Sequence, residues 1–316
     1  MSEAKPQSNT PDYPEQFVGI RRQIERRLSE IAPTVAGSAP RLKRSMRYSL
    51  LDGGKRLRPL ITVLTAEALG GDAEDAVDAA CAIEMVHTAS LVIDDLPCMD
   101  DASQRRGKPA NHIAHGEDIA ILGAISLISD AFGLIARDRR LKPDVKNDLV
   151  ASLSTAIGAE GLCAGQERDL RDLAERSDAE SLAQLQYQKT GALFVACLEA
   201  GARIAGLTRE ALNPLRAFGT HAGLAFQILD DLLDAVGTTT ATGKDRQADV
   251  GKHTYAAIMN HQEAETLARA ELSSALAALE PAGINPEPFA AYLNLVLAAY
   301  QGQVDSSQFQ RAAAGV

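Results

Sequence analysis

The sequence predicts an all-α protein, and three observations carry that expectation. Ala-rich segments mixed with Leu, Glu, Arg and Gln favour helix by propensity. No stretch alternates apolar and polar residues between hairpin signals. The segments that carry the densest acidic residues follow helical rather than strand spacing. A chain of 316 residues is long for one domain, yet a helical bundle accommodates that length around one core. The expected organisation is a loose tail over residues 1–14 and one domain over 15–316.

Taken in order, helices are predicted over 16–31, 42–51, 59–69 and 73–96, the third ended by Gly70-Gly71 and the fourth by Pro97. Further helices are predicted over 118–137, 143–174, 179–205 and 209–236, and a last one over 262–279. The stretches 237–251 and 281–288, rich in glycine and proline respectively, punctuate them. No internal repeat is visible beyond two aspartate motifs.

Those motifs are Asp94-Asp95-Leu96-Pro97-Cys98-Met99-Asp100-Asp101 and Asp230-Asp231-Leu232-Leu233-Asp234. Two like charges ~4 Å apart repel by about 4 kcal/mol even at an effective dielectric near 20, so facing clusters need either separation or divalent metal. Gln227, Asp230, Asp231 and Asp234 share one helical face, with Phe226, Leu229, Leu232, Leu233 and Val236 covering the rest. A polar stripe of this kind ordinarily faces water, but this one is acidic and amide only. In the first motif Glu84, His87, Leu91 and Asp94 progress helically, and Pro97 lets Asp100 swing back beside Asp94.

Three basic islands accompany the clusters, one before the first and one after each. Gly53-Gly54-Lys55-Arg56-Leu57-Arg58-Pro59 puts three cations at a helix start, which suits a phosphate, although it lacks the spacing of a nucleotide P-loop. Arg105-Arg106-Gly107-Lys108-Pro109 lies close behind the first aspartates, where plain neutralisation is the competing reading. Lys244 and Lys252 sit in the glycine-bearing stretch after the second motif, as a closing loop or a solvated one. Together the islands suggest diphosphate held through Mg²⁺. Glu84-x-x-His87 also matches half of a di-iron bundle motif, but no second copy exists. Lys189-Thr190, in an apolar run, reads alone as a snorkelling lysine, and Gly165-Gln166-x-x-Asp169 is equally ambiguous.

Composition excludes other classes. A net charge of −10 argues against nucleic acid as partner. Four cysteines without CxxC spacing read as buried free thiols of a reducing compartment. No apolar h-region opens the chain and no run is expected to cross a membrane, so a cytoplasmic protein is expected.

At this point the chain resembles the trans-prenyltransferases that make farnesyl and geranylgeranyl diphosphate. The resemblance rests on GGKRLRP at 53–59, HTASLVIDDLPCMDD at 87–101, RRGKP at 105–109, GQ at 165, KT at 189, FQILDDLLD at 226–234 and GKD at 243. It implies a helical bundle around a deep cavity, a homodimer, and Mg²⁺, three ions per site. It further implies that Asp94, Asp100 and Asp230 ligate metal, with Asp95, Asp231 and Asp234 supporting or acting through water. Arg105, Lys189, Lys244 and Lys252 would hold the allylic diphosphate, while Lys55, Arg58, His87 and Arg106 would hold isopentenyl diphosphate. Thr190 and Gln227 would face the developing cation.

The resemblance also implies where product length is set. Ala89, five residues before Asp94, and Ser90 are small where a bulky aromatic stops growth at C15. With Met85, Val86 and Phe132 as the floor, a C20 geranylgeranyl product is expected, with C15 farnesyl diphosphate as the alternative. Ala110 and Ile125 depart from many farnesyl-type relatives, which bears on product class. A terpene cyclase and a non-catalytic partner subunit are the remaining competitors.

Overall fold

The computed structural model describes residues 14–171, 179–236, 255 and 259–301 of the chain. It is a helical bundle, as expected. In chain order the helices are α1 (Glu15–Ile31), α2 (Pro40–Leu50), α3 (Leu57–Ala68), α4 (Ala73–Asp94), α5 (Asn111–His115), α6 (Glu117–Arg137), α7 (Pro143–Ile157) and α8 (Leu162–Arg171). They continue as α9 (Ala179–Gln186), α10 (Ala192–Ile204), α11 (Asn213–Val236), α12 (His261–Ala277) and α13 (Glu287–Gln301). A two-residue hairpin, β1 (Gln104–Arg105) with β2 (Lys108–Pro109), pairs Arg105 with Lys108 in antiparallel register.

The helices form for local reasons that the packing then uses. In α1, Phe17, Ile20, Ile24 and Leu28 repeat every three to four residues and all four are buried. Asp72 caps α4 by accepting from the Glu74 backbone N–H at 2.9 Å. Asn260 and Glu263 form a reciprocal capping box on α12. Helix α4 is apolar all round because it is the central element: it packs against α3, α6, α1 and α10. Beyond its first turn, α4 keeps a half-exposed face only near its end, where His87, Ser90, Leu91 and Asp94 lie.

Several expectations change. The predicted helix 143–174 is two helices, because the chain breaks at Gly158 and Gly161, where a Cβ on Gly161 would lie 2.0 Å from the Ala156 carbonyl oxygen. The predicted helix 179–205 is interrupted by a π turn, Tyr187–Gly191, and the helix expected over 209–236 opens on a 3₁₀ turn, Arg209–Leu212. Two helices, α4 and α6, are long and apolar enough to cross a membrane, contrary to expectation. In α4 most of that stretch is buried by other helices, whereas α6 exposes Ile121, Leu122 and Ile125. Of the cysteines, Cys81 and Cys197 are buried, but Cys98 and Cys163 are exposed, since they lie at the turn after α4 and the start of α8.

Candidate active site

Helix α4 ends at Asp94, two residues before the predicted stop, and the turn beyond it folds back at once. The Asp100 N–H donates to the Asp94 carbonyl at 2.9 Å and the Asp101 N–H to the Leu96 carbonyl at 3.1 Å, so both motif ends share one corner. Burial pushes the Asp94 carboxyl up to about 6; Lys189 and Arg105 oppose this, while Asp100 and Asp95 add to it. Asp95 points the other way. It is buried and takes the Arg105 guanidinium through Nε at 3.0 and 3.1 Å and through Nη2 as well. The competing reading, neutralisation by arginine, therefore falls on Asp95, and among the described residues no cation hydrogen-bonds Asp94.

The hairpin places the next arginine on the first basic loop. Arg106 and Gly107 both have positive φ, 54° and 77°, which makes the tight turn between β1 and β2. Arg106 Nη1 donates to the Gly53 carbonyl at 2.7 Å, and its guanidinium lies where a Cβ on Gly54 would be, 2.7 Å away. Gly54 also has φ +108°, so only glycine fits there. On α3, Arg58 Nη1 lies 3.4 Å from His87 Nε2. A guanidinium can only donate, so Nε2 accepts and the proton of the neutral ring sits on Nδ1. Burial holds His87 well below its ordinary pKa, and Arg58, Arg106, Arg105 and Arg56 add to that. The Arg58 Nε is buried without a partner. A cluster of cations around a neutral histidine, with an orphaned buried donor, suits a multiply charged anion.

The opposite wall is built on the π turn. Gly165 lets α8 press against it, since a Cβ there would meet the Lys189 backbone nitrogen at 2.6 Å, and Gly223 of α11 lets Gly191 approach to 3.0 Å from its would-be Cβ. Lys189 Nζ donates to Asp169 Oδ2 at 2.6 Å, and its charge reaches Asp94. Thr190 Oγ1 donates to Gln227 Oε1 at 2.9 Å, and Gln227 Nε2 to Asp231 Oδ1 at 3.0 Å. The second acidic face is thus divided rather than uniform. Asp230 is exposed, but Asp231 is buried and also accepts from the Tyr255 backbone N–H at 3.0 Å. Asp234 is described only by its place on α11, and Lys244 and Lys252 lie outside the described residues.

The family now follows from comparison as well as geometry. A model of the polyprenyl synthetase family matches residues 39–283. The chain belongs to the polyprenyl synthetase family. A geranylgeranyl diphosphate synthase of Pantoea ananas is 41% identical over 84% of this chain and 86% of its own. A farnesyl diphosphate synthase of Geobacillus stearothermophilus is also 41% identical, over 78% and 84% of the two chains. A geranyltransferase from Helicobacter pylori, solved with magnesium and isoprenyl diphosphate, superposes with a TM-score of 0.82 at 28% identity, covering 94% of this chain and 99% of its own.

This polyprenyl synthetase presents no ready cage of three metal-binding side chains among its described residues. That donor set still fits Mg²⁺, which binds through one or two carboxylates plus substrate phosphates. Asp94, pushed up by burial beside Asp100, is a carboxylate that gains most from a cation. Asp169, ambiguous in the sequence beside Gly165-Gln166, holds Lys189. Sequence reasoning missed Tyr255, whose backbone N–H donates to Asp231 and which no local signal marks. Of the expected floor, Met85, Val86 and Ala89 are enclosed in the core and Phe132 is packed on it, while Ser90 lies on the half-exposed face.

Proposed function

We propose that this prenyltransferase condenses isopentenyl diphosphate with allylic diphosphates head to tail, using Mg²⁺, and releases geranylgeranyl diphosphate. The observation that supports the reading is the π turn at Tyr187–Gly191, whose residues interact with both helices that carry the acidic motifs. Its Lys189 acts on Asp94 electrostatically, and its Thr190 bonds Gln227, one turn ahead of Asp230. Mg²⁺ would be held by Asp94 and Asp100 on one side and Asp230 on the other, three ions in the family's manner, and would supply Lewis-acid stabilisation of the departing diphosphate.

The chain's own residues do the rest. Arg105, steadied by Asp95, and Lys189, steadied by Asp169, are positioned cations for the allylic diphosphate; Lys244 and Lys252 complete that group. Arg58, His87, Arg106 and Lys55 receive the isopentenyl diphosphate. When the allylic C–O bond breaks, its electron pair leaves with the diphosphate, and the Thr190 and Gln227 oxygens lie beside the cation that remains. The isopentenyl double bond forms the new C–C bond. The departing diphosphate then takes the proton, so no protein nucleophile is required.

The C20 assignment rests on the small Ala89 and Ser90, and the farnesyl alternative on the equal identity to a farnesyl synthase. The exposed apolar stripe of α6 supports a homodimer, and four free thiols support a cytoplasmic location. The test is mass spectrometry of products from dimethylallyl, geranyl and farnesyl diphosphate, each with and without isopentenyl diphosphate and Mg²⁺. All three starters should yield C20, and omission of either isopentenyl diphosphate or metal should yield nothing. Growth that stops at C15 would make the enzyme a farnesyl synthase, a hydrocarbon from one allylic substrate alone a cyclase, and inactivity a partner subunit.

A further inference from the structure

Arg56 is the cation of the 53–59 loop whose guanidinium is held among helices. It is 3% exposed and has a left-handed backbone, φ +43°. A non-glycine residue keeps such a φ only where its surroundings impose it. Here three helices do so through one guanidinium. Nη2 donates to the Leu50 carbonyl at the end of α2 at 2.8 Å, Nε to Glu25 Oε1 of α1 at 3.0 Å, and Nη1 to Glu84 Oε1 of α4 at 2.6 Å. Glu84 is 1% exposed, stands one helical turn ahead of His87, and keeps its second oxygen, Oε2, without a partner.

Stability alone does not account for the pair. Both ions are taken wholly out of water, and a well-packed apolar pair of similar volume commonly serves a fold as well. What the pair does is fasten the loop, by a buried contact, to the helix that carries His87. Lys55 precedes Arg56 directly, Arg58 follows two residues later, and Arg58 meets His87 at 3.4 Å. Arg106, bonded to the Gly53 carbonyl, rests on the same loop.

We infer that Arg56 and Glu84 form a positioning pair for the isopentenyl diphosphate subsite, setting the spacing of the loop cations from His87 without touching substrate. This rests on the reading of the site as a prenyl diphosphate synthase. The bound ligand is felt only through Lys55, Arg58, His87 and Arg106, so the pair acts on one substrate and not the other.

The experiment is steady-state kinetics of the full-length Glu84→Gln and Arg56→Lys enzymes, with isopentenyl and allylic diphosphate varied separately. Glu84→Gln keeps the shape and one acceptor for Nη1 but removes the charge. It should raise KM for isopentenyl diphosphate about tenfold or more, with the allylic KM and kcat changed less than about threefold. Arg56→Lys, which keeps the charge and loses the forked contacts, should fall between. If Glu84→Gln does not fold, Arg56→Gln/Glu84→Gln leaves no lone buried charge and carries the same expectation. An unmoved isopentenyl KM, or both KM values rising together with a fall in melting temperature, would overturn the inference. A wild-type enzyme that consumes no isopentenyl diphosphate would instead sink the proposed function, which is a separate outcome.

Discussion

Asp94 shows what burial costs a single carboxylate. Its carboxyl is pushed up to about 6 by burial, with nearby Asp100 adding to that, so the folded chain binds a proton more tightly than the unfolded chain does. The sign follows: between the unfolded carboxylate pKa and about 6 the folded state holds more protons, and stability falls as pH rises through that window. The ionised group therefore costs about 3 kcal/mol near neutrality. Asp94→Asn should raise the melting temperature of the metal-free protein at pH 7 by several degrees, at roughly 2–4 °C per kcal/mol, and abolish turnover. The gain should vanish below about pH 4, where wild-type Asp94 is already neutral. Melts across that range decide it, and a variant no more stable than wild type at pH 7 would refute the assignment. Asp95 differs in its surroundings, being buried against the Arg105 guanidinium. Two adjacent aspartates thus differ by one helical step and one partner, which the sequence motif alone does not distinguish.

At the scale of elements, the close glycine contacts around the π turn are the parts least forgiving of change. Gly165→Ala drives a methyl into the Lys189 backbone, so either α8 or the turn must move. It should destabilise by about 1–3 kcal/mol and lower kcat more than Gly19→Ala, where nothing lies within 4 Å. Ala89→Tyr tests α4 in the same way. Ala89 is wholly enclosed, so a ring there must displace its neighbours; with the growth path where the Proposed function puts it, product should shift from C20 toward C15. These elements also show what was legible. Helices α1 to α4 were readable from local signals such as the apolar spacing of α1 and the Asp72 cap of α4, and Asp100 beside Asp94 was readable from Pro97. The π turn was not, since five-residue bonding leaves no spacing signature. Helix α13 was missed because Pro286 and Pro288 read as loop, whereas proline in a first turn is compatible with helix. The hairpin was hidden inside a run taken for charge alone, although its Arg106-Gly107 turn demands two positive φ values.

Across the whole molecule, a main core binds α1 to α4, α6, α7 and α10 with parts of α11 to α13, and a second cluster joins Leu182 and Leu185 of α9 to Ile228, Leu229 and Leu232 of α11, Tyr255, and Ala264 and Ala268 of α12. Asp231 lies at that second cluster, so the helix bearing the second acidic motif is fixed by packing the first motif does not share. What neither core covers is the outer face of α6. Ile121, Leu122 and Ile125 are 42%, 51% and 57% exposed, and Ile113 of α5 is 55% exposed. Their spacing of three to four residues along α6 makes them one stripe. Covering such side chains is worth about 1.5–3 kcal/mol each when complete, enough for a symmetric pair of stripes to hold two copies together. A carboxylate placed there costs little in the isolated chain, because it faces water, but repels its own copy across a twofold axis. Leu122→Glu/Ile125→Glu should therefore leave the melting transition within about 1 kcal/mol of wild type when the two are compared as monomers. In sedimentation velocity at micromolar concentration, wild type should run at twice the mass of the variant. A wild-type protein already monomeric there, or a variant still dimeric, would show that this stripe is not where the copies meet.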